Sequence, residues 1–64
     1  MMSNDIKAEI KAAAIEARAY SEAVAVALAG NDPARYTVAE RMMSQTVDAV
    51  RRLEDLVDRL RAMG

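Results

Sequence analysis

The sequence predicts an all-α protein, an antiparallel two-helix hairpin that pairs with a second copy into a coiled-coil-like four-helix bundle. Three observations predict this fold. Apolar residues recur at helical spacing in both halves of the 64-residue chain. A break containing glycine and proline, at residues 30–36, separates two stretches of similar length. The uncharged stripe of the second half is wider than one neighbouring helix can cover.

The first helix is expected over residues 4–29. Ser3, Asn4 and Asp5 are all good helix caps, and the acidic Asp5 suits the positive end of the helix dipole. An apolar row with alternating steps of four and three is expected to face the second helix. This row consists of Ile6, Ile10, Ala13, Ala17, Tyr20 and Val24. Because its centre is alanine, we expect the two helices to approach closely there.

The break between the helices is expected to reverse the chain. Gly30 stands where many helices end on a residue in the left-handed conformation. Asp32 and Pro33 follow as a turn signal, which could open a single helical turn before the chain reverses. The single hairpin domain therefore spans residues 1–64.

The second helix is predicted over residues 37–63. Thr37 and Glu40 match a capping box. In this motif the threonine hydroxyl accepts a hydrogen bond from the backbone N–H of the glutamate, and the glutamate carboxylate accepts one from the backbone N–H of the threonine. The pattern of apolar residues after it follows a heptad repeat, with three uncharged rows side by side. The charged residues between Asp48 and Arg61 all fall on the remaining heptad positions.

Two of the three uncharged rows are assigned to the seam inside the hairpin. Their members on the second helix are Met43, Val50, Leu53, Val57 and Leu60. The third row is assigned, with two residues of the first helix, to an interface between two copies. The interface set is Ile15, Val26, Met42, Ala49, Leu56 and Met63. A chain this small has little core of its own and no cysteine for a disulfide, so association is the expected source of stability.

The composition offers few groups for catalysis or metal binding. The chain has no histidine and no cysteine, which removes the usual base, nucleophile and zinc ligands. The di-iron sites of helical bundles also need histidine beside inward-pointing glutamates. We therefore expect no enzymatic activity, no cofactor and no metal.

Charge and hydropathy limit the expected partners and location. The net charge is −1 with both signs interleaved, which argues against nucleic acid. No apolar window is long and uncharged enough for a membrane span, and the polar, acidic start argues against a signal peptide. Together with the lack of cysteine, these features predict a cytoplasmic protein.

Three functional hypotheses remain. The first is a non-catalytic, self-associating hairpin, with a dimer favoured, that acts as a protein-interaction, adaptor or assembly module. Apolar residues near the turn could then also receive a helix of another protein. The second is a small dimeric nucleic-acid-binding regulator with an arginine-bearing face. That face would comprise Arg51, Arg52, Arg59 and Arg61. The third is a structural subunit of a larger helical assembly. Small bacterial or phage accessory proteins are often of this kind.

Overall fold

The protein is a hairpin of two long helices. The computed structural model describes the backbone of residues 2–64 and the side chains of residues 5–64. Helix α1 spans Met2–Ala29 and helix α2 spans Arg35–Met63. The two helices pack against each other. The hairpin is elongated, with extents of 48 × 14 × 10 Å along its principal axes. The predicted all-α helical hairpin is confirmed.

Helix α1 begins earlier than the capping signals predict. It already contains Ser3, Asn4 and Asp5, so none of the three precedes the helix. The side chains of Ser3 and Asn4 lie outside the described residues, and any hydrogen bond from them stays a prediction. The sequence that follows is rich in alanine. Alanine has the highest helix propensity of any residue type, which favours a long uninterrupted helix.

Helix α1 ends without a left-handed residue. No glycine in the described chain has a positive φ, so the prediction of a left-handed Gly30 is wrong. The Gly30 N–H instead donates to the carbonyl oxygen of Ala27 at 3.3 Å, a 3₁₀-type bond that tightens the last turn. A Cβ at Gly30 would lie 3.6 Å from that oxygen, an ordinary contact. The backbone at this position therefore does not require glycine.

The start of α2 is fixed by Asp32 and not by Thr37. Asp32 Oδ1 accepts the Ala34 N–H at 2.7 Å, and the Asp32 carbonyl oxygen accepts the Arg35 N–H at 3.0 Å. The helix thus begins at Arg35 with Thr37 already inside its first turn, and the predicted capping box is wrong. Pro33 presets a helical φ and has no N–H to satisfy, so the Asp-Pro pair starts the helix first.

The fully buried part of the contact between the helices consists mainly of alanine. Among the described side chains, the buried apolar residues are Ala13, Ala39, Ala49 and Leu56. Leu56 is the one large side chain in this set, and the alanines allow a close approach of the helix axes. Half-buried residues flank them. They include Ile6, Ile10, Ala17, Tyr20, Val24, Leu53 and Leu60.

The predicted division of α2 between seam and interface is wrong for two of its rows, whereas Leu53 and Leu60 lie half-buried at the seam as predicted. Ala49 and Leu56, which were assigned to an interface between copies, are buried against α1 of the same chain. Met43, Val50 and Val57, which were assigned to the seam, are exposed. The reason is steric, because the alanine row of α1 packs most closely on the row of α2 that also carries alanine. The buried row combines the small Ala49 with Leu56, and the row with the β-branched Val50 and Val57 is turned outward.

Replacing Asp32 should destabilise the protein more than replacing Thr37. Asp32→Ala removes the acceptor for the Ala34 N–H and should lower the free energy of unfolding by about 0.5–1.5 kcal/mol, the net contribution of one hydrogen bond. Thr37→Ala, the matched control, should change it by less than about 0.5 kcal/mol. Urea denaturation of both variants at one protein concentration measures the difference. A larger loss for Thr37→Ala would show that the capping box starts the helix.

Replacing Gly30 by alanine should be harmless or stabilising. Its φ suits any L-residue and the added Cβ makes an ordinary contact. Gly30→Ala should therefore raise the free energy of unfolding by about 0.4–1 kcal/mol, because the unfolded chain loses conformational freedom. The midpoint of thermal unfolding at fixed concentration checks this. A clear loss of stability would indicate a left-handed residue at the end of α1.

Candidate functional site

Four apolar side chains of α2 form an exposed line along one side of the hairpin. Met43, Val47, Val50 and Val57 all lie at least 38% exposed. At 3.6 residues per turn they fall within an arc of about 80°, and they span about 21 Å along the helix. We call these four residues the apolar ridge. Val47 falls on one of the heptad positions that mostly carry charged residues, and its branched apolar side chain is the signal that could have placed it on this line.

A groove runs beside the apolar ridge, between it and α1. It is lined by Ser21 and Val24 of α1 and by Met43, Thr46 and Val47 of α2. Its walls are almost entirely apolar. A second groove continues along the ridge at Val50, Leu53, Glu54, Val57, Asp58 and Arg61. The first groove and the ridge from Met43 to Val50 make one apolar face on this side of the hairpin, and Glu54 and Arg61 lie beside the ridge beyond Val50.

The two hydroxyl groups in the first groove are already satisfied. Thr46 Oγ1 donates to the Met42 carbonyl oxygen at 2.7 Å, and Ser21 Oγ donates to the Arg18 carbonyl oxygen at 2.9 Å. Both bonds stay within their own helix. An apolar surface could therefore cover the groove without leaving a buried hydroxyl donor unpaired, which would cost about 1–3 kcal/mol.

The opposite flank of the helix contact is polar. Glu16 precedes Ser21 by five residues, so it lies on the other side of the α1 seam. The groove there is lined by Glu16, Tyr20, Gln45, Asp48, Ala49 and Arg52. The groove beside Met43 and Val47 is thus apolar and the groove on the opposite flank is charged, whereas the groove beyond Val50 mixes apolar and charged side chains.

The structure does not bring the predicted interface residues together. Met42 is half-buried beside the seam, whereas Ile15 and Val26 lie on the outer surface of α1 at 59% and 74% exposure. Met63 is exposed in the last turn of α2. Of the six, Ala49 and Leu56 belong to the hairpin core, so the set is not a single surface.

The four predicted nucleic-acid-binding arginines do not share a face. Arg52 and Arg61 are nine residues apart, which places them about 180° apart on the helix. Arg59 lies near Arg52, but its Nη2 is 3.1 Å from Asp55 Oδ2 in an exposed ion pair. Arg61 shares a groove with the carboxylates of Glu54 and Asp58. The basic groups are therefore divided between two sides of α2 and interspersed with acidic groups.

Other kinds of site receive little support from the described residues. Among them, no three acidic side chains converge in a way that could hold a metal ion. Neither described helix has an apolar stretch that would cross a membrane. Comparison of the chain with protein-family models, curated proteins and solved structures finds no match. The apolar ridge and its groove are the features from which we infer function.

Proposed function

We propose that the chain is a non-catalytic, cytoplasmic helical hairpin that associates with a second copy through the apolar ridge. In this role it acts as a protein-interaction, adaptor or assembly module, with a four-helix bundle as its working form. The observation that carries the proposal is the amount of surface that the single hairpin leaves in water.

The exposed area of the hairpin exceeds that of an ordinary monomer. A folded monomer of 7.0 kDa is expected to expose about 4,000 Å². This chain exposes 4940 Å². The surplus of about 900 Å² is close to the roughly 800 Å² that each partner buries in a standard interface. Covering one face of the hairpin would thus bring its exposed surface to the usual value.

The distribution of polar groups favours a closed dimer. A two-fold interface uses the same patch on both copies. A hairpin with one apolar face can therefore cover that face completely by pairing with a single second copy. The polar groove with Glu16, Asp48 and Arg52 then stays in water. The nucleic-acid alternative has no comparable support, because its arginines lie on different sides of α2.

A charge in the middle of the apolar ridge should separate the copies. Val50→Glu replaces a ridge side chain in both chains, and loss of its burial alone is about 1.5–3 kcal/mol per chain. The dissociation constant should rise by about a hundredfold or more. Light scattering should then give the mass of one chain where the unchanged protein gives two, with circular dichroism following the loss of helix.

Ile15→Glu is the matched control. It introduces the same charge on an exposed apolar residue of α1, on the side of that helix away from the seam. This variant should keep the mass of two chains. Dissociation by Ile15→Glu but not by Val50→Glu would contradict the proposal. Growth beyond two chains that Ile15→Glu abolishes would support a larger helical assembly built on the outer face of α1.

A further inference from the structure

We infer that the second copy docks in the opposite direction, with the two turns at opposite ends of the bundle and a two-fold axis at the level of Ala17 and Val50. This inference rests on the proposed function, because it takes the apolar ridge as the interface. It goes further by fixing which residues of the two copies meet. The grounds are the register of the hairpin, the symmetry of its apolar rows and the position of two charges.

The register of the hairpin places Ala17 level with Val50. Tyr20 shares a groove with Gln45 and Ala49, so it lies at the height of residue 47. Because the helices run in opposite directions, a step of three residues back along α1 and three residues forward along α2 leads to Ala17 and Val50, which therefore lie at one height. An axis that crosses the hairpin at this height passes both residues.

Three of the four residues of the apolar ridge are placed symmetrically about Val50, whereas Val47 has Leu53 and the exposed Glu54 at its symmetric position. Met43 precedes Val50 by seven residues and Val57 follows it by seven, so the three share one row of α2. If α2 packs antiparallel on the α2 of a second copy, Val50 meets the partner's Val50 and Met43 meets the partner's Val57. Every exposed residue of this row then faces an apolar residue.

The facing row of α1 is symmetric about Ala17. Ile10 precedes Ala17 by seven residues and Val24 follows it by seven, and all three are half-buried in the hairpin. Val24 also lines the apolar groove beside the ridge. About the same axis, Ala17 meets the partner's Ala17 and Ile10 meets the partner's Val24. One axis therefore matches the apolar rows of both helices, which a closed two-fold interface requires.

Charges at the edge of the ridge agree with the same axis. Glu40 precedes Val50 by ten residues and Arg61 follows it by eleven, and both are exposed on the ridge side of α2. The antiparallel arrangement brings Glu40 close to the partner's Arg61 at each end of the α2 pair. Opposite charges at such edge positions favour one orientation of paired helices over others.

The reverse arrangement, with both turns at one end, matches the surfaces less well. It would stack the apolar ridge of each copy on α1 of the other. The row of α1 on that side, at steps of seven, consists of Lys7, Ala14, Ser21 and Leu28. At the register of the hairpin, Val57 would still lie level with the partner's Ile10, but Arg61 would lie near the partner's Lys7, both of them exposed. Two cations would then meet where the antiparallel arrangement pairs Arg61 with the partner's Glu40, and like charges at facing edge positions disfavour the reverse arrangement.

Cysteine cross-linking tests the orientation, because the natural chain contains no cysteine. Under mild oxidation, two Val50→Cys chains should form a disulfide with each other across the two-fold axis. Met43→Cys and Val57→Cys should each fail alone, since like residues would lie about 21 Å apart along the bundle and a disulfide needs Cα atoms within about 7 Å. A refolded mixture of these two variants, one carrying a mass tag, should give the cross-linked heterodimer.

A mixture of Met43→Cys and Val24→Cys chains is the control for the reverse arrangement. These two residues lie side by side within one chain, but about 21 Å apart between copies in the proposed bundle. Cross-linking in this mixture and not in the first would overturn the orientation while leaving self-association intact. Light scattering of the unchanged protein separates the two questions, since the mass of one chain at micromolar concentration would remove the proposed function as well.

Exchange of the edge charges gives a second readout. Glu40→Arg and Arg61→Glu should each weaken the dimer by up to about fivefold per edge pair, and the double variant should recover the original affinity. Glu54→Arg should show no such recovery with Arg61→Glu, because the proposed axis does not bring residue 54 near residue 61 of the other copy. Recovery by the Glu54 pair alone would contradict the register.

Discussion

Packing around three buried alanines is the constraint on which the rest of the structure depends. Ala13 of α1 and Ala39 and Ala49 of α2 are buried, and such small side chains allow a close approach of helix axes. Alanine has little apolar surface to remove from water, so this contact fixes the geometry of the hairpin but contributes little burial. Only Leu56 adds a large side chain to the buried set among the described residues. A hairpin built in this way has a defined shape and a small core.

The same contact determines which side of α2 is left exposed. Once α1 lies on the alanine row, the neighbouring row with Met43, Val50 and Val57 must point past it. The bonds from Thr46 to the Met42 carbonyl and from Ser21 to the Arg18 carbonyl make this side suitable for burial. The close packing inside one chain and the apolar face outside it therefore have a common cause.

Sequence reasoning succeeded where the signal was local and periodic. The two helices, the break between them and the apolar row of α1 follow from spacing that extends over many residues. It failed where two signals of similar strength competed. Asp32-Pro33 and the Thr37-Glu40 pair both mark a helix start, and α2 begins at the earlier of these two signals. The sequence could not show which apolar rows of α2 face α1, because all three rows are uncharged. Choosing between them needs the distance between the helices, and side-chain size on both surfaces decides that distance.

The turn links the local structure to the proposed assembly. Asp32 fixes where α2 begins, and with the end of α1 at Ala29 this sets how far one helix is displaced along the other. That displacement puts Ala17 and Val50 at one height. A longer turn that let α2 slide along α1 by one helical turn, about 5.4 Å, would keep the seam rows in contact but move Val50 away from the height of Ala17. The apolar rows of α1 and α2 would then have separate centres of symmetry. A single two-fold axis could match only one of them, so the self-complementarity of the face depends on a turn about 20 Å away from its centre.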